Sequence, residues 1–440
     1  MPVPFPYFPI KFDKNAQVIA PGDAELRKLL RDPAKPTDLI VISHGWNNDM
    51  SEAEALYSEL MTNAAALLRE GKTPGLTGRR FAVLGVLWPS KKFADSELIP
   101  GNAAGVGDTV DVGALSRQLD DMSGGFDSPD EALTLQAMKD LLPKLQDSDR
   151  ACGEFVKLAQ SLLKSEAGDA LDGADHFFSD APVDVFKRLM NPVSFAAESP
   201  GSDGTAAAGL SGSALGVGDV FSGIQSAARN VLNLTTYYQM KERAGLIGAT
   251  ALNPLLRAIA RDFPDLRIHL VGHSFGGRLV TATAAGDSNA TVLKARSMSL
   301  LQAAFSHYGF ARNWDGKQHD GFFRRVVETG AISGPVIITH TISDKAVGMA
   351  YPLASLLAGQ NAAALGDRNS DYGGIGRNGA QKTPEAVDGE LLPVGNPYAF
   401  TQGKLHNLNA RNRYGDLIKD HGDVRNANVA HAILSAIAST

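Results

Sequence analysis

The length, composition and charge of this chain bound its fold and exclude several classes of partner. Its 440 residues exceed the usual size of one domain, and 44% hydrophobic with 20% charged residues is typical of a globular protein with a large core. The net charge of -6 is modest, and no cluster of lysine and arginine indicates a nucleic-acid or anionic membrane surface. We therefore expect no nucleic-acid partner, and the lack of a long apolar run predicts no integral membrane segment.

The cysteine content and the first residues of the chain indicate in which cellular compartment the protein is expected. Cys152 is the single cysteine of the chain, which excludes an intramolecular disulfide and a multi-cysteine metal site and favours a packing role. Residues 1–9 lack basic side chains and are interrupted by prolines, so they do not resemble a signal peptide. We expect a cytoplasmic protein, although export without a cleavable signal, or a leader already removed, is compatible with the same sequence. We expect no cofactor and no metal, because no His, Asp, Glu or Cys cluster has ligand spacing on one element.

The chain begins its regular pattern with a strand, a helix and a strand. Residues 38–43 are apolar and β-branched and end at His44 and Gly45, as expected of a buried parallel strand. Residues 51–70 carry apolar side chains at helical spacing, and residues 81–88 form a second apolar run. This order predicts two parallel strands joined by a crossover helix.

Residues 91–237 do not continue this alternation and predict an insertion between two strands of the sheet. A capping box at residues 128–131, followed by apolar stripes at helical spacing, predicts a mostly helical insertion in which Pro143 ends or kinks a helix. Residues 196–218 are rich in Gly, Ala and Ser and predict a mobile loop. A lid over a site and an inert surface loop are both open as the role of that loop.

The strand and helix pattern resumes in the second half of the chain. The predicted elements are a helix at 251–262 and strands at 268–271, 298–303, 335–341 and 398–405. The predicted fold class is therefore α/β. Residues 1–90 and 238–440 are expected to form a mostly parallel, doubly wound sheet, and residues 91–237 a large, mostly helical cap.

The most informative stretch is a Gly-x-Ser-x-Gly motif between the strand at 268–271 and a predicted helix. It reads Gly272-His273-Ser274-Phe275-Gly276. At such a sharp turn the serine backbone is strained, and glycine on both sides lets the strand and the helix approach without a Cβ clash. The hydroxyl of Ser274 then projects from the end of the sheet, which predicts a nucleophile.

A serine nucleophile needs a general base, and the base needs a carboxylate to orient it. Asp344 follows the predicted strand at 335–341, at the strand end where the sites of parallel sheets lie, and is the predicted acid. An N-cap role in a helix that begins at Lys345 is the alternative interpretation of Asp344. Asp315 and Asp320, in the loop after the preceding strand, are the reserve candidates.

Of the ten histidines, His421 is the predicted general base. It lies in a loop before the last predicted helix and is followed by Gly422, whereas most of the others lie in strands, helices or the two loop motifs. His406, at the end of the last predicted strand, is the runner-up. The order Ser274, Asp344, His421 is the one that this elbow motif usually takes.

Hydrolysis also needs backbone N–H groups directed at a developing oxyanion. The first predicted donor is the N–H of Phe275, directly after the nucleophile, and the second is the N–H of Trp46, in the loop after the strand at 38–43. The alternative to an oxyanion role is that this Gly- and Asn-containing loop is only a tight turn. A tight turn alone does not explain why the loop lies at the end of a strand. The residues expected to contact substrate are His44, Gly45 and His273.

These motifs together resemble the α/β-hydrolase superfamily. The chain is similar to a bacterial group with His-Gly-(Trp/Phe)-Asn-Asn at the oxyanion loop and Gly-His-Ser-x-Gly-Gly at the elbow. The matching segments are residues 44–48 and 272–277, together with Trp88-Pro89-Ser90, Asp344 and His421-Gly422-Asp423. The resemblance implies an α/β-hydrolase fold and a serine hydrolase of the esterase or lipase type, which cleaves carboxylic esters through an acyl-serine intermediate.

The resemblance does not cover residues 91–237, which we expect to form the cap that decides the substrate. The expected partner is a small-molecule acyl ester, and a lipid surface is also open as a partner. An amidase or peptidase that uses the same triad is the alternative enzyme, and an inactive hydrolase fold that only binds is the alternative from another class. The sequence does not indicate the acyl group, the alcohol group or the oligomeric state.

Overall fold

The computed structural model describes residues 2–20, 22–46, 49–90, 111–164, 170–190, 217–287, 292–344, 357, 368 and 370–440. The chain divides into two compact units. The first contains Met1–Lys92, Gln239–Tyr351 and Gly366–Thr440, and the second contains Phe93–Tyr238 and Pro352–Leu365. The predicted role of residues 91–237 as a cap over a site stays a prediction. In the described ranges, no helix combines the length and the apolar character needed to span a membrane.

The first unit is built on a large sheet. Nine strands of the described residues form it, in the order β2-β1-β4-β3-β5-β6-β7-β9-β8. The strands are β1 (Tyr7–Phe12), β2 (Val18–Ala20), β3 (Asp38–Ser43), β4 (Phe81–Leu87), β5 (Arg267–His273), β6 (Ser297–Leu301), β7 (Val336–His340), β8 (Ala386–Glu390) and β9 (Leu405–Asn409). All neighbouring pairs are parallel except β1 with β2. The predicted α/β class with a mostly parallel sheet is therefore confirmed.

Helices cover the sheet and alternate with its strands along the chain. In the first unit they are Asp23–Leu30, Met50–Arg69, Asn253–Asp262, Phe275–Ala285, Arg324–Glu328, Ile375–Asn378 and Ala427–Ala438. One hydrophobic cluster joins Met50–Arg69 and Ala427–Ala438 to one face of the sheet, with Val271, Leu301 and Ile337 from its central strands. Full burial of each such side chain contributes about 1.5–3 kcal/mol.

The described residues of the second unit form helices. They are Val112–Asp121, Glu131–Leu141, Asp149–Ser161, Ala174–Ser179 and Pro182–Leu189, and Val217–Leu246 begins in this unit. A π-helical turn, Ile247–Leu252, follows the last of them.

The helix Glu131–Leu141 tests the two predictions for its ends, a capping box at its start and Pro143 at its end. A helix ends at Leu141 before Pro143, as predicted, and a short 3-10 turn, Leu142–Lys144, follows. The predicted capping box at residues 128–131 is wrong, because the helix begins at Glu131 and its N-cap, Asp130, makes no side-chain cap bond. The predicted mobile loop at 196–218 lies, up to residue 216, outside the described residues.

The last predicted strand begins later in the chain than its sequence pattern indicates. The sequence predicts it at 398–405, but β9 begins at Leu405. Tyr398 and Phe400 give the earlier stretch its strand-like pattern, yet their rings stack on each other at 4.6 Å between centroids in a loop. The Phe400 ring also packs edge-on against His406. Aromatic packing, and not strand pairing, therefore explains the apolar pattern there.

Candidate active site

Ser274 lies at the junction of β5, the middle strand of the sheet, and the helix Phe275–Ala285. Its backbone has φ 55° and ψ -126°, a conformation that residues other than glycine rarely adopt. Among the described residues, three backbone hydrogen bonds hold this turn. Ser274 N–H donates to the Leu301 carbonyl at 3.0 Å, and the N–H groups of Gly277 and Ala304 donate to the Ser274 carbonyl at 2.9 and 3.0 Å. Strain held in this way is common at functional sites.

The glycines around Ser274 allow the elbow to pack tightly. A Cβ at Gly276 would overlap the carbonyl oxygen of Ser43 and lie 2.5 Å from that of His44, at the end of β3. A Cβ at Gly272 would lie 2.5 Å from the carbonyl carbon of Gly276. No side chain fits in either place, because real Cβ atoms do not approach other atoms this closely.

His421 and Asp344 form a hydrogen-bonded pair. His421 Nδ1 lies 2.9 Å from Asp344 Oδ2, and the Asp344 side chain is fully buried while that of His421 is 22% exposed. A carboxylate only accepts, so Nδ1 carries a proton, and in the neutral ring Nε2 keeps a lone pair. Burial lowers the pKa of His421, but the Asp344 carboxylate outweighs burial, and the net pKa is raised above its ordinary value.

Asp344 is also held by its surroundings. It lies four positions after the end of β7, and its N–H donates to the Thr341 carbonyl at 3.1 Å. The side-chain amide of Gln302 donates to Asp344 Oδ2 at 3.1 Å. The alternative N-cap role involves residues from 345 onward, which lie outside the described ranges. Sequence reasoning did not find Gln302, although its position directly after β6 was a usable signal.

His273, the residue before Ser274, contacts the same histidine. Its Nε2 lies 2.8 Å from the His421 carbonyl oxygen, and the two rings are 4.8 Å apart between centroids. Burial, with a smaller contribution from His421, lowers the pKa of His273 to about 3, so its ring is neutral and Nε2–H donates. This bond ties the backbone of His421 to the end of β5 and favours a positioning role for His273 over contact with substrate.

The loop after β3 lies against the nucleophile. A Cβ at Gly45 would lie 2.9 Å from Ser274 Oγ and would overlap Ser274 Cβ. The rings of Trp46 and Phe275 meet edge to face, 6.2 Å apart. The two residues predicted to supply oxyanion donors are thus neighbours, and the direction of their N–H groups toward an oxyanion stays a prediction. Residues 47 and 48 of the motif lie outside the described residues.

His44 fixes the shape of this loop. Its Nε2 accepts the backbone N–H of Trp88 at 3.2 Å, so its Nδ1 carries the proton and donates to the Gly45 carbonyl at 2.9 Å. The Trp88 ring stacks on that of His44 and donates to the His44 carbonyl at 3.1 Å. Burial lowers the pKa of His44 to about 4, which keeps the ring neutral. Both ring nitrogens bind protein groups, so the geometry favours a positioning role for His44 over contact with substrate.

The reserve candidates have other partners. Asp315 binds His319 at 2.6 Å in an exposed loop, and Asp320 accepts the N–H of Asn313 at 2.8 Å. His406 Nε2 accepts the N–H of Thr401 at 3.0 Å. The structure therefore brings together His421 and Asp344, and not these alternatives.

The hydroxyl of Ser274 makes no hydrogen bond in the part of the chain that the structure describes, so its pairing with His421 stays a prediction. Catalytic hydrogen bonds are often long before substrate binds. Within the same residues, no group of His, Cys, Asp or Glu side chains could hold a metal ion. Comparisons of the chain with models of protein families, with curated proteins and with solved structures find no significant match.

Proposed function

We propose that this chain is a serine hydrolase of the α/β-hydrolase type that cleaves carboxylic esters through an acyl-serine intermediate. The observation that carries the proposal is the hydrogen bond between His421 Nδ1 and Asp344 Oδ2, beside an elbow that holds Ser274 in a strained turn. A histidine with its proton fixed on Nδ1 has Nε2 ready to accept the proton of a serine hydroxyl.

In the proposed acylation step, Ser274 Oγ attacks the ester carbonyl carbon while its proton moves to His421 Nε2. The imidazolium that forms is stabilised by Asp344, whose buried carboxylate already raises the pKa of His421 against the effect of burial. The N–H groups of Trp46 and Phe275 would stabilise the oxyanion. When the C–O bond breaks, His421 returns the proton to the leaving alcohol.

The proposed deacylation step repeats the same transfers with water. His421 takes a proton from water as the water oxygen attacks the acyl carbon, and then gives it to Ser274 Oγ as the acid leaves. Both steps need a neutral His421 at the start, so the enzyme should lose activity as the pH falls through the pKa of this residue.

The arrangement of the sheet supports the assignment to this superfamily. Ser274 follows the middle strand, Asp344 follows a strand two positions further along the sheet, and His421 follows β9, the next strand after that. Sites of parallel sheets lie at the carboxyl ends of the strands. Three functional side chains at these ends fit the order that Gly-x-Ser-x-Gly hydrolases use.

Residues 91–237 are the proposed cap, with an apolar pocket for the acyl chain. Each CH₂ removed from water would contribute about 0.8 kcal/mol, so longer acyl chains should be preferred up to the length of the pocket.

The reaction class can be tested with matched chromogenic substrates. We expect p-nitrophenyl esters of increasing chain length to be hydrolysed, and p-nitroanilides of the same acyl groups to react far more slowly. Ser274→Ala should remove the activity, whereas Ser299→Ala, which deletes a buried hydroxyl on the neighbouring strand, should retain it. Faster cleavage of the anilides would favour an amidase, and no turnover of either series by folded protein would contradict hydrolysis.

A further inference from the structure

Gln302 is a buried residue with an unusual backbone, directly after β6. Its φ is 44°, in the left-handed region that residues with a Cβ rarely occupy. Its side-chain amide donates both hydrogens: one to Asp344 Oδ2 at 3.1 Å and one to the Gly376 carbonyl at 3.0 Å. The amide therefore joins the predicted catalytic carboxylate to the segment at Gly376.

Two features of Gln302 cost stability. A left-handed conformation strains a residue that is not glycine, and the buried side-chain oxygen Oε1 has no hydrogen-bond partner among the described residues. Turning the amide over would satisfy neither neighbour, since both the carboxylate and the carbonyl accept hydrogen bonds. The two hydrogen bonds that the amide donates therefore fix its orientation and leave Oε1 without a donor among the described residues.

The surroundings allow Gln302 little freedom. Its backbone N–H donates to Thr339 Oγ1 at 3.2 Å. Gly376 lies so close that an added Cβ would be 2.5 Å from the Gln302 carbonyl carbon. The Gly376 carbonyl also accepts the N–H of Thr341, at the start of the loop that carries Asp344. One carbonyl therefore anchors both Gln302 and that loop.

We propose that Gln302 is a positioning residue for Asp344. This inference rests on the proposed function, since it concerns the carboxylate that orients His421. Asp344 Oδ2 receives an N–H from His421 on one side and an N–H from Gln302 on the other. Because the amide donates an N–H to Asp344 Oδ2, it favours the ionised carboxylate and holds it in the orientation that keeps the His421 proton on Nδ1.

The test is Gln302→Met, which keeps the length of the side chain and removes both donors. We expect the rate constant for labelling by a fluorophosphonate, and kcat for p-nitrophenyl butyrate, to fall about 10-fold or more. KM should change much less than kcat, because the proposed effect of Gln302 is on the orientation of Asp344 and not on the binding of substrate. The matched control is Gln118→Met, which removes another buried amide, hydrogen-bonded to Asn233, in the second unit. It should leave the labelling rate unchanged.

A double-mutant comparison separates positioning from general structural support. If Gln302 acts through Asp344, adding Gln302→Met to Asp344→Asn should have little further effect. An equal loss in both backgrounds would overturn the proposal, and so would a folded Gln302→Met chain that is labelled as fast as the wild type. If Gln302→Met does not fold, Thr339→Val, which removes the acceptor of the Gln302 N–H, should slow labelling, and an unchanged rate would overturn the proposal.

A second readout does not depend on turnover. The downfield proton resonance of His421 Nδ1–H, identified by its loss in His421→Gln, should shift or broaden in Gln302→Met. If the wild-type chain has no hydrolase activity but Gln302→Met still shifts this resonance, the positioning role is supported while the proposed function fails. A resonance unchanged in Gln302→Met would contradict the positioning role.

Discussion

His421 Nδ1 lies 2.9 Å from Asp344 Oδ2, although the two residues are 77 positions apart in the chain. The loop after β7 and the loop before the C-terminal helix meet to form this pair. A buried carboxylate beside a histidine orients the ring and favours its protonated form, which is the role of the acid in a serine hydrolase.

Asp344→Asn should change both the rate and its pH dependence. Asp344 raises the pKa of His421, and the proposed mechanism needs a neutral His421, so the rate should be lost as the pH falls through that pKa. Removing the carboxylate lowers the pKa, which moves the acid limb of the kcat/KM profile to lower pH. The rate at its plateau should fall by about 10²–10⁴, because the histidine loses its orienting partner.

Asp315→Asn is the matched control for this experiment, since Asp315 binds His319 in a different loop. It should leave the pH profile of the wild type unchanged. A wild-type profile in Asp344→Asn, or a shifted profile in Asp315→Asn, would assign the acid to a different residue.

Gly45→Ala should displace the nucleophile. The new methyl group would overlap Ser274 Cβ and lie 2.9 Å from Oγ. A shift of about 1 Å at a reacting atom can cost 10²-fold in rate, so we expect fluorophosphonate labelling to fall by a factor of that order. Gly389→Ala, where the nearest atom would be 3.6 Å from the new Cβ, is the control that should label normally. Normal labelling of Gly45→Ala would show that Ser274 does not depend on this contact.

Gly276→Ala should destabilise the fold. Its methyl group would overlap the Ser43 carbonyl oxygen, so the elbow helix must move away from β3. Overpacking of this kind costs about 1–3 kcal/mol of the free energy of unfolding. Thermal unfolding should show a lower Tm for Gly276→Ala than for Gly389→Ala, and equal Tm values would contradict the tight packing.

The central strands could be predicted from the sequence because burial on both faces of a sheet produces continuous apolar runs. Residues 38–43 became β3 with the same limits, and β4 and β5 differ from the prediction by a few residues. The sequence pattern does not predict the outer strands β1, β2 and β8. A proline interrupts β1 at Pro9, and β2 and the middle of β8 are exposed, so none of them carries a buried-strand pattern.

In the site, too, residues with a recognisable local sequence pattern could be predicted and those without one could not. Ser274, Asp344 and His421 could be proposed because each stands in a recognisable place: an elbow, a strand end and a late loop. Gln302 and Trp88 could not be assigned their contacts, because these depend on segments that meet only in the folded chain. The burial of His44 and His273, and their bonds to protein groups, also depend on tertiary packing that no local pattern encodes.

Labelling of the intact chain with a fluorophosphonate, followed by mass spectrometry of the peptides, tests the proposed nucleophile most directly. We predict that the label is found on Ser274 in the wild type and in Ser299→Ala. It should be absent from Ser274→Ala and much slower to form in His421→Gln, since the hydroxyl then lacks its base. A folded wild-type chain without label on Ser274, or undiminished labelling of Ser274→Ala, would contradict a serine hydrolase with this nucleophile.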